Sequence, residues 1–253
     1  MDIEVRHELG GHARVLVLNR PAKKNALTVA MYIELVRELA EAAVAPAVRA
    51  VVITGAGDAF TAGNDIHDFM AAPPTTEDSP VLQFLAQLVR FPKPLVAAVN
   101  GIAVGVGTTM LLHCDLVLAA ESSRFQLPFA RLGLCPEGGS SFLLPRLAGL
   151  QRASELLIWG EPFDATAALR IGIVNEVLTS AELLPRAMSR VESLLDLPPD
   201  AVAVTKSLLR GPLLGELEET MRREAATFRA RLGSAEAAEA FLAFFEKRKP
   251  KFS

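Results

Sequence analysis

Four short runs, "ARVLVL" (13–18), "AVVIT" (50–54), "LVAAV" (95–99) and "DLVLAA" (115–120), set the strongest constraint on how this chain folds. Each is rich in β-branched and other apolar residues and too short to be a helix, so each reads as a buried strand. The segments between them have helical spacing. After the first run, Thr28 can cap a helix in which Met31, Leu35 and Leu39 share a face, and Pro46 ends it. After the second, Ser79 and Pro80 suit the cap and first turn of a helix carrying Val81, Leu85 and Leu88. Strand and helix alternate, which predicts an α/β class.

From about residue 180 the strand signal stops. "SAELLPRAMSRVESLL", "PDAVAVTKSLLRG", "LGELEETMRREAATFRARLG" and "SAEAAEAFLAFFEKRK" all have helical apolar spacing, with Ser180 and Ser234 as caps. The expected division is a core over residues 1–195 and a helical region over 196–253. Leu217, Met221 and Phe228 on one helix, and Phe241, Phe244 and Phe245 on another, are too apolar to stand in water. They must pack on the core or on another subunit. The only loop-like composition is "AAPPTTEDSP" (71–80), a candidate mobile lid.

With 253 residues, 51% of them hydrophobic, a sizeable core is available. A net charge of -3 supplies no field that would draw the molecule to nucleic acid or to anionic lipid, and neither is expected as a partner. The two cysteines, Cys114 and Cys135, lack metal-ligand spacing; they read as free buried thiols of a reducing compartment, with no metal centre. "MDIEVRHELGG" lacks the apolar core of a signal peptide, so a cytoplasmic location is expected. Residues 95–112 are uncharged and long enough to raise a membrane-spanning reading, but Asn100, three glycines and two threonines interrupt them. They read as strand, glycine loop and buried helix.

Two segments repeat one arrangement. "GAGDAFTAGNDIHDF" (55–69) follows a strand and leads into a helix if one begins at Asp65; "NGIAVGVGTTMLLHCD" (100–115) follows a strand and turns through Gly101, Gly105 and Gly107. Small residues there let the backbone approach a ligand, and amides at a helix start point outward unpaired. Each turn alone is an ordinary strand-to-helix connection. Two of them facing one space would make an oxyanion hole. A base would then be needed, and "LCPEGGSS" supplies a carboxylate, Glu137, between apolar segments. In a dry pocket its pKa would rise toward about 6–7, where it can both take and return a proton.

These residues resemble the enoyl-CoA hydratase/isomerase, or crotonase, superfamily over nearly the whole chain. "LNRPAKKNALT" looks like the family's N-terminal CoA segment, "FTAGNDI" and "VNGIAVGVGTTM" like its oxyanion loops, and "LPFARLGLCPEGGSSFLLPRLAG" like the segment carrying its catalytic acids. The resemblance implies a crotonase-like spiral of ββα units and a helical C-terminal region used for trimerisation, as a homotrimer or a dimer of trimers. It implies an acyl-CoA thioester as substrate and no separate cofactor. Carried over residue by residue, it puts the backbone N–H groups of Asn64 and Val106 in the oxyanion hole. Lys24, Asn25 and Ala26, with Ala62, Asp65 and Ile66, fall at the CoA end. Phe69, Phe129 and Leu132 fall around the reacting carbons, and Lys247 is a candidate for a CoA phosphate or a solvated tail charge.

One departure points to the reaction. Family hydratases use two glutamates, and the matching positions here hold Thr109 and Phe129. The chain resembles more the isomerase branch, some members of which carry a single base in a "PEG" turn, here Glu137. The resemblance therefore implies a shift of a 3-enoyl-CoA double bond to the 2 position. Three alternatives stand beside it: an enoyl-CoA hydratase or other crotonase-type lyase, a non-catalytic acyl-CoA-binding relative, and a hydrolase using Ser140 or Ser141 with His113 and Asp115. The last lacks the G-x-S-x-G turn.

Overall fold

The computed structural model describes residues 2–74, 76 and 78–252. The chain begins with a hairpin, β1 (Ile3–Glu8) against β2 (Ala13–Leu18), and continues through α1 (Val29–Val44) to β3 (Ala50–Gly55). A spiral follows. β3 leads into β4 (Ala59–Thr61), then α2 (Ile66–Ala71) and α3 (Pro80–Arg90); β5 (Leu95–Val99) leads into β6 (Ile102–Val104) and α4 (Val106–Thr109); β7 (Leu116–Ala120) leads into β8 (Arg124–Gln126) and then α5 (Ser140–Ala148) and α6 (Leu150–Ser154). Next come β9 (Phe163–Asp164), α7 (Ala165–Arg170), β10 (Glu176–Leu178), α8 (Ser180–Ser193), α9 (Pro199–Leu232) and α10 (Ala235–Phe245). Each turn of the spiral adds one strand to each of two sheets. The larger has the order β1-β2-β3-β5-β7-β10, parallel except for β1, and the smaller β4-β6-β8-β9.

Both faces of the larger sheet are covered, so its strands are continuously apolar rather than alternating. From β2, Leu16 and Leu18 enter the core shared with α1 and α3, whereas Ala13, Val15 and Val17 face Leu183, Ala187 and Val191 of α8. The single charge in β2, Arg14, is neutralised inside the fold: its Nη1 lies 3.0 Å from Glu38 Oε2 on α1.

Caps stand where the sequence puts them at Thr28, Asp65, Ser79 and Ser234, and one residue before the place expected at Ser180. Thr28 accepts from Met31 N and Ser234 from Ala237 N, and Asp65 is the cap of α2. Ser180 is not a cap but the first residue of α8; Thr179 caps it, in a box with Glu182. Ser79 stands at the cap of α3, yet its hydroxyl bonds Thr76 O instead. The strand read from Asp115 starts at Leu116, because the Asp115 carboxylate accepts from Leu95 N at 2.8 Å and from Lys206 Nζ at 2.6 Å.

The two segments read as separate helices across residues 199–232 form one helix, α9, of 34 residues. Gly211 and Pro212 do not break it. The carbonyl that Pro212 leaves without a donor belongs to Leu208, a residue 71% exposed. Leu217 and Phe228 of α9 and Phe241 of α10 are buried against their own chain, while Phe244 is 56% exposed. Of the stretch read as a lid, Thr75 and Glu77 lie outside the described residues; Pro74 faces the cavity described below. No helix among the described residues is long and apolar enough to cross a membrane.

Candidate active site

The two glycine turns meet. Gly63 has φ +88°, and a Cβ there would lie 2.7 Å from the carbonyl oxygen of Val104, so only glycine lets the turn after β4 approach the end of β6. Gly105, at φ +56°, donates its N–H to Gln126 O at 2.9 Å and turns the chain so that Val106 opens α4. Asn64 is fixed on both flanks, since Leu27 N donates to Gly63 O and Asp65 N donates to Leu27 O, each at 2.8 Å. The N–H groups of Asn64 and Val106 themselves donate to no backbone carbonyl among the described residues. Both residues line one cavity of about 860 Å³.

Glu137 lies in the same cavity lining, on the turn that precedes α5. Its carboxyl group is enclosed and accepts a short hydrogen bond from the Thr109 hydroxyl of α4. Burial pushes its pKa up from 4.5 to about 7; the Thr109 bond pulls against this, and the charge of Glu224 pushes with it. The walls are apolar: Val81, Leu82, Leu85 and Val89 come from α3, and Met221 and Phe228 from α9. Phe69 meets Phe228 edge-on with ring centres 6.2 Å apart.

Ala26, Ala62, Asp65, Ile66, Phe69, Phe129 and Leu132 all line the cavity. Lys24 and Asn25 do not. The Lys24 ammonium is 2.7 Å from Asp58, and it is Lys23 that reaches the lining. Asn25 is fully buried and ties three backbone groups together, accepting from Arg20 N and donating to Ala56 O and Ala59 O. That role consumes its side chain. Of the CoA-side backbone groups, Ala62 N already donates to Lys24 O at 2.9 Å. Asp65 uses its carboxylate on Arg20, at 3.1 Å, and on the start of α2. Lys247 is exposed and outside the lining.

The hydrolase arrangement does not assemble. His113 Nε2 is 2.7 Å from Gly138 O, Asp115 is occupied by Lys206 and Arg210, and Ser140 Oγ donates to Glu137 O at 2.6 Å. Burial lowers His113 to about 4, so its ring is neutral. Cys114 and Cys135 are free, and burial pushes their thiols up to about 12 and about 11.

Two groups escape a reading of the sequence. Tyr32, the only tyrosine of the chain, donates to Asn64 Oδ1 at 2.5 Å and so steadies a residue of the cavity lining. Its signal was a hydroxyl beside the apolar stripe of α1. Burial first, and the Glu137 charge second, raise its pKa, so it stays a neutral donor. Glu224 sits in "ELEETMRREAA", a run that looks like a solvated face, yet it is buried under the Glu137 turn.

With this geometry in view, comparison with known proteins is informative. A family profile described as enoyl-CoA hydratase/isomerase matches residues 12–253. The chain is 36% identical over 248 residues to the Rattus norvegicus protein named enoyl-CoA delta isomerase 2, covering 96% of this chain but 63% of that one, less than two thirds of its length. It is 35% identical over 241 residues to 2,3-dehydroadipyl-CoA hydratase of Escherichia coli K12, covering 94% of each. A crystal structure of an enoyl-CoA hydratase/isomerase from Pseudoalteromonas atlantica T6c superposes with a TM-score of 0.95 at 40% identity over the full length of both. Matched in sequence over nearly all its length and in fold over the whole of it, the chain belongs to the enoyl-CoA hydratase/isomerase family.

Proposed function

We propose that the protein is an enoyl-CoA isomerase that moves the double bond of a 3-enoyl-CoA to the 2 position. The observation that carries this reading is the meeting, in one cavity, of a single carboxyl group poised at about 7 and two amides with no backbone partner. Glu137, ionised, removes a proton from C2. The charge spreads from C2 to C4 on one side and to the thioester oxygen on the other, where the Asn64 and Val106 N–H groups hold it; each such donor is worth roughly 10²–10³ in rate. Glu137, now protonated, returns the proton to C4. A group that is a base in one half-step and an acid in the next works best with its pKa near the working pH.

Hydration would require a water activated between two carboxylates. Thr109 and Phe129 occupy the positions of the family's hydratase glutamates, and the other carboxylates nearby are engaged: Glu224 by three donors, Asp65 by Arg20 and Glu218 by Arg90. We also propose assembly as a homotrimer or a multiple of it: Leu150 at 65% exposure, Ile158 at 60% and Trp159 at 61% leave apolar surface around α6 that its own chain does not cover. The acyl-CoA itself is the only small molecule the mechanism needs.

The test replaces Glu137 with Gln, which keeps size and the Thr109 contact but cannot take a proton from carbon. Isomerisation of a 3-enoyl-CoA, and exchange of C2 protons with deuterated water, should fall by roughly 10²–10⁴ while acyl-CoA affinity stays within a few-fold. Normal exchange by the variant would remove Glu137 as the base. Hydration of crotonyl-CoA by the wild type as fast as it isomerises would favour the hydratase reading instead.

A further inference from the structure

Glu224, on a helix remote in sequence from the site, ends directly beneath the turn that carries Glu137. Its Oε2 accepts from Gly139 N at 2.6 Å, and its Oε1 accepts from Ser141 N at 2.9 Å and from the Ser141 hydroxyl. Gly138 and Gly139 both take left-handed backbone conformations, at φ +64° and +74°. They leave the amides at the start of α5 aimed away from their own segment, and the carboxylate from α9 satisfies them. This is a helix cap supplied from another helix.

We propose that Glu224 is a positioning residue for the reaction: it clamps the Gly139–Ser141 turn that orients Glu137 and places a fixed negative charge beside the Glu137 carboxyl. The proposal rests on Glu137 being the base. Burial raises the Glu224 pKa, while the hydrogen bonds donated by Ser141 and Gly139, the positive end of α5 and the Arg223 charge act the other way and favour its carboxylate form. Of the charged groups that line the same cavity, Asp65 is paired with Arg20 and Glu218 with Arg90, while Lys23, Arg222 and Arg229 are cations, which would lower rather than raise the Glu137 pKa; the remaining titratable groups around Glu137 are neutral near pH 7. Tyr32 on α1 is a neutral phenol, Cys135 is pushed up to about 11, and His113, bound to Gly138 O, is lowered to about 4. Thr109 contributes a hydroxyl only. Glu224 is the charge that acts on Glu137, and its repulsion makes Glu137 a stronger base.

The experiment follows the pH profile of C2-proton exchange in the full-length protein, for wild type, Glu224→Gln, Glu224→Asp and Glu137→Gln, with thermal melts to show that each is folded. The wild-type acid limb is expected near 7. Gln removes the charge and puts an NH₂ against a donor, so the limb should move down by about half to one pH unit and the plateau should fall about tenfold or more. Asp keeps the charge on a shorter stem; its plateau should fall while its limb stays within about 0.3 unit of wild type. A loss of packing alone would lower plateaus without this split between the two variants. A Glu224→Gln profile that superimposes on wild type, or Gln and Asp limbs that shift together, overturns the proposal while Glu137→Gln still abolishes exchange. Normal exchange by Glu137→Gln overturns the assignment of the base, and this proposal with it.

Discussion

Replacing Glu137 with Gln should stabilise the fold, and by an amount that depends on pH. In the folded protein the Glu137 carboxyl ionises near 7, against 4.5 for the ordinary group. Below 4.5 both folded and unfolded chains hold the proton and the site costs nothing. Between 4.5 and 7 the unfolded chain has released its proton and the folded chain has not, so stability falls as pH rises. Above 7 the full cost is present: 2.5 pH units at 1.36 kcal/mol each is about 3 kcal/mol. Gln occupies the same space and still accepts from Thr109, without this cost. Urea unfolding at constant protein concentration and ionic strength should therefore find the variant more stable than wild type at pH 8, and the gap should shrink by about 2–3 kcal/mol at pH 5. The concentration must be fixed because the proposed assembly would add to apparent stability. A gap that stays constant between the two pH values, or widens toward acid, would refute the account of Glu137 as a carboxyl group strained by burial.

Replacing Thr109 with Val removes the hydrogen bond that favours ionised Glu137, so the acid limb of proton exchange should move above 7, opposite to the shift expected for Glu224→Gln; a downward shift would contradict the direction of that bond. At Gly107 a Cβ would lie 2.5 Å from Thr61 Cγ2, so Gly107→Val must displace α4 or β4. Since Val106 precedes it, turnover should fall at least tenfold more than acyl-CoA affinity does, and equal losses in both would make the turn merely structural.

What the sequence made legible is what local chemistry encodes. The apolar strand runs, the Thr28 cap and the glycine turns follow from period and residue type, and Glu137 stood out as a carboxylate in apolar company. Strands β4, β6 and β8 were not legible, since three residues carry no periodicity and each is held by its neighbour in the sheet. That Lys23 rather than Lys24 reaches the cavity goes with the left-handed conformations of Lys24 and Asn25, at φ 49° and 55°, which nothing in "PAKKNA" announces. Glu224 was hidden for another reason. Its partners lie more than eighty positions away, and a carboxylate among arginines on a helix reads as solvated until the opposing amides are seen.

Helix α9 also bears on how sequences of this kind can drift. Lys206 and Arg210 are held on Asp115, and Glu224 on the turn before α5, so contacts early and late in one rod about 51 Å long are phased against the same body. Exposed positions between them, such as Leu209, are free to change identity. Their number is not. Loss of one residue between 210 and 224 would rotate everything beyond it by about 100° and draw it back about 1.5 Å, bringing Ala225 to the place of Glu224 and leaving the amides of Gly139 and Ser141 without a carboxylate. Substitutions can accumulate along this helix, whereas a change of length between its two anchoring contacts is not tolerated; the exposed residues 196–198 before it offer a place for one.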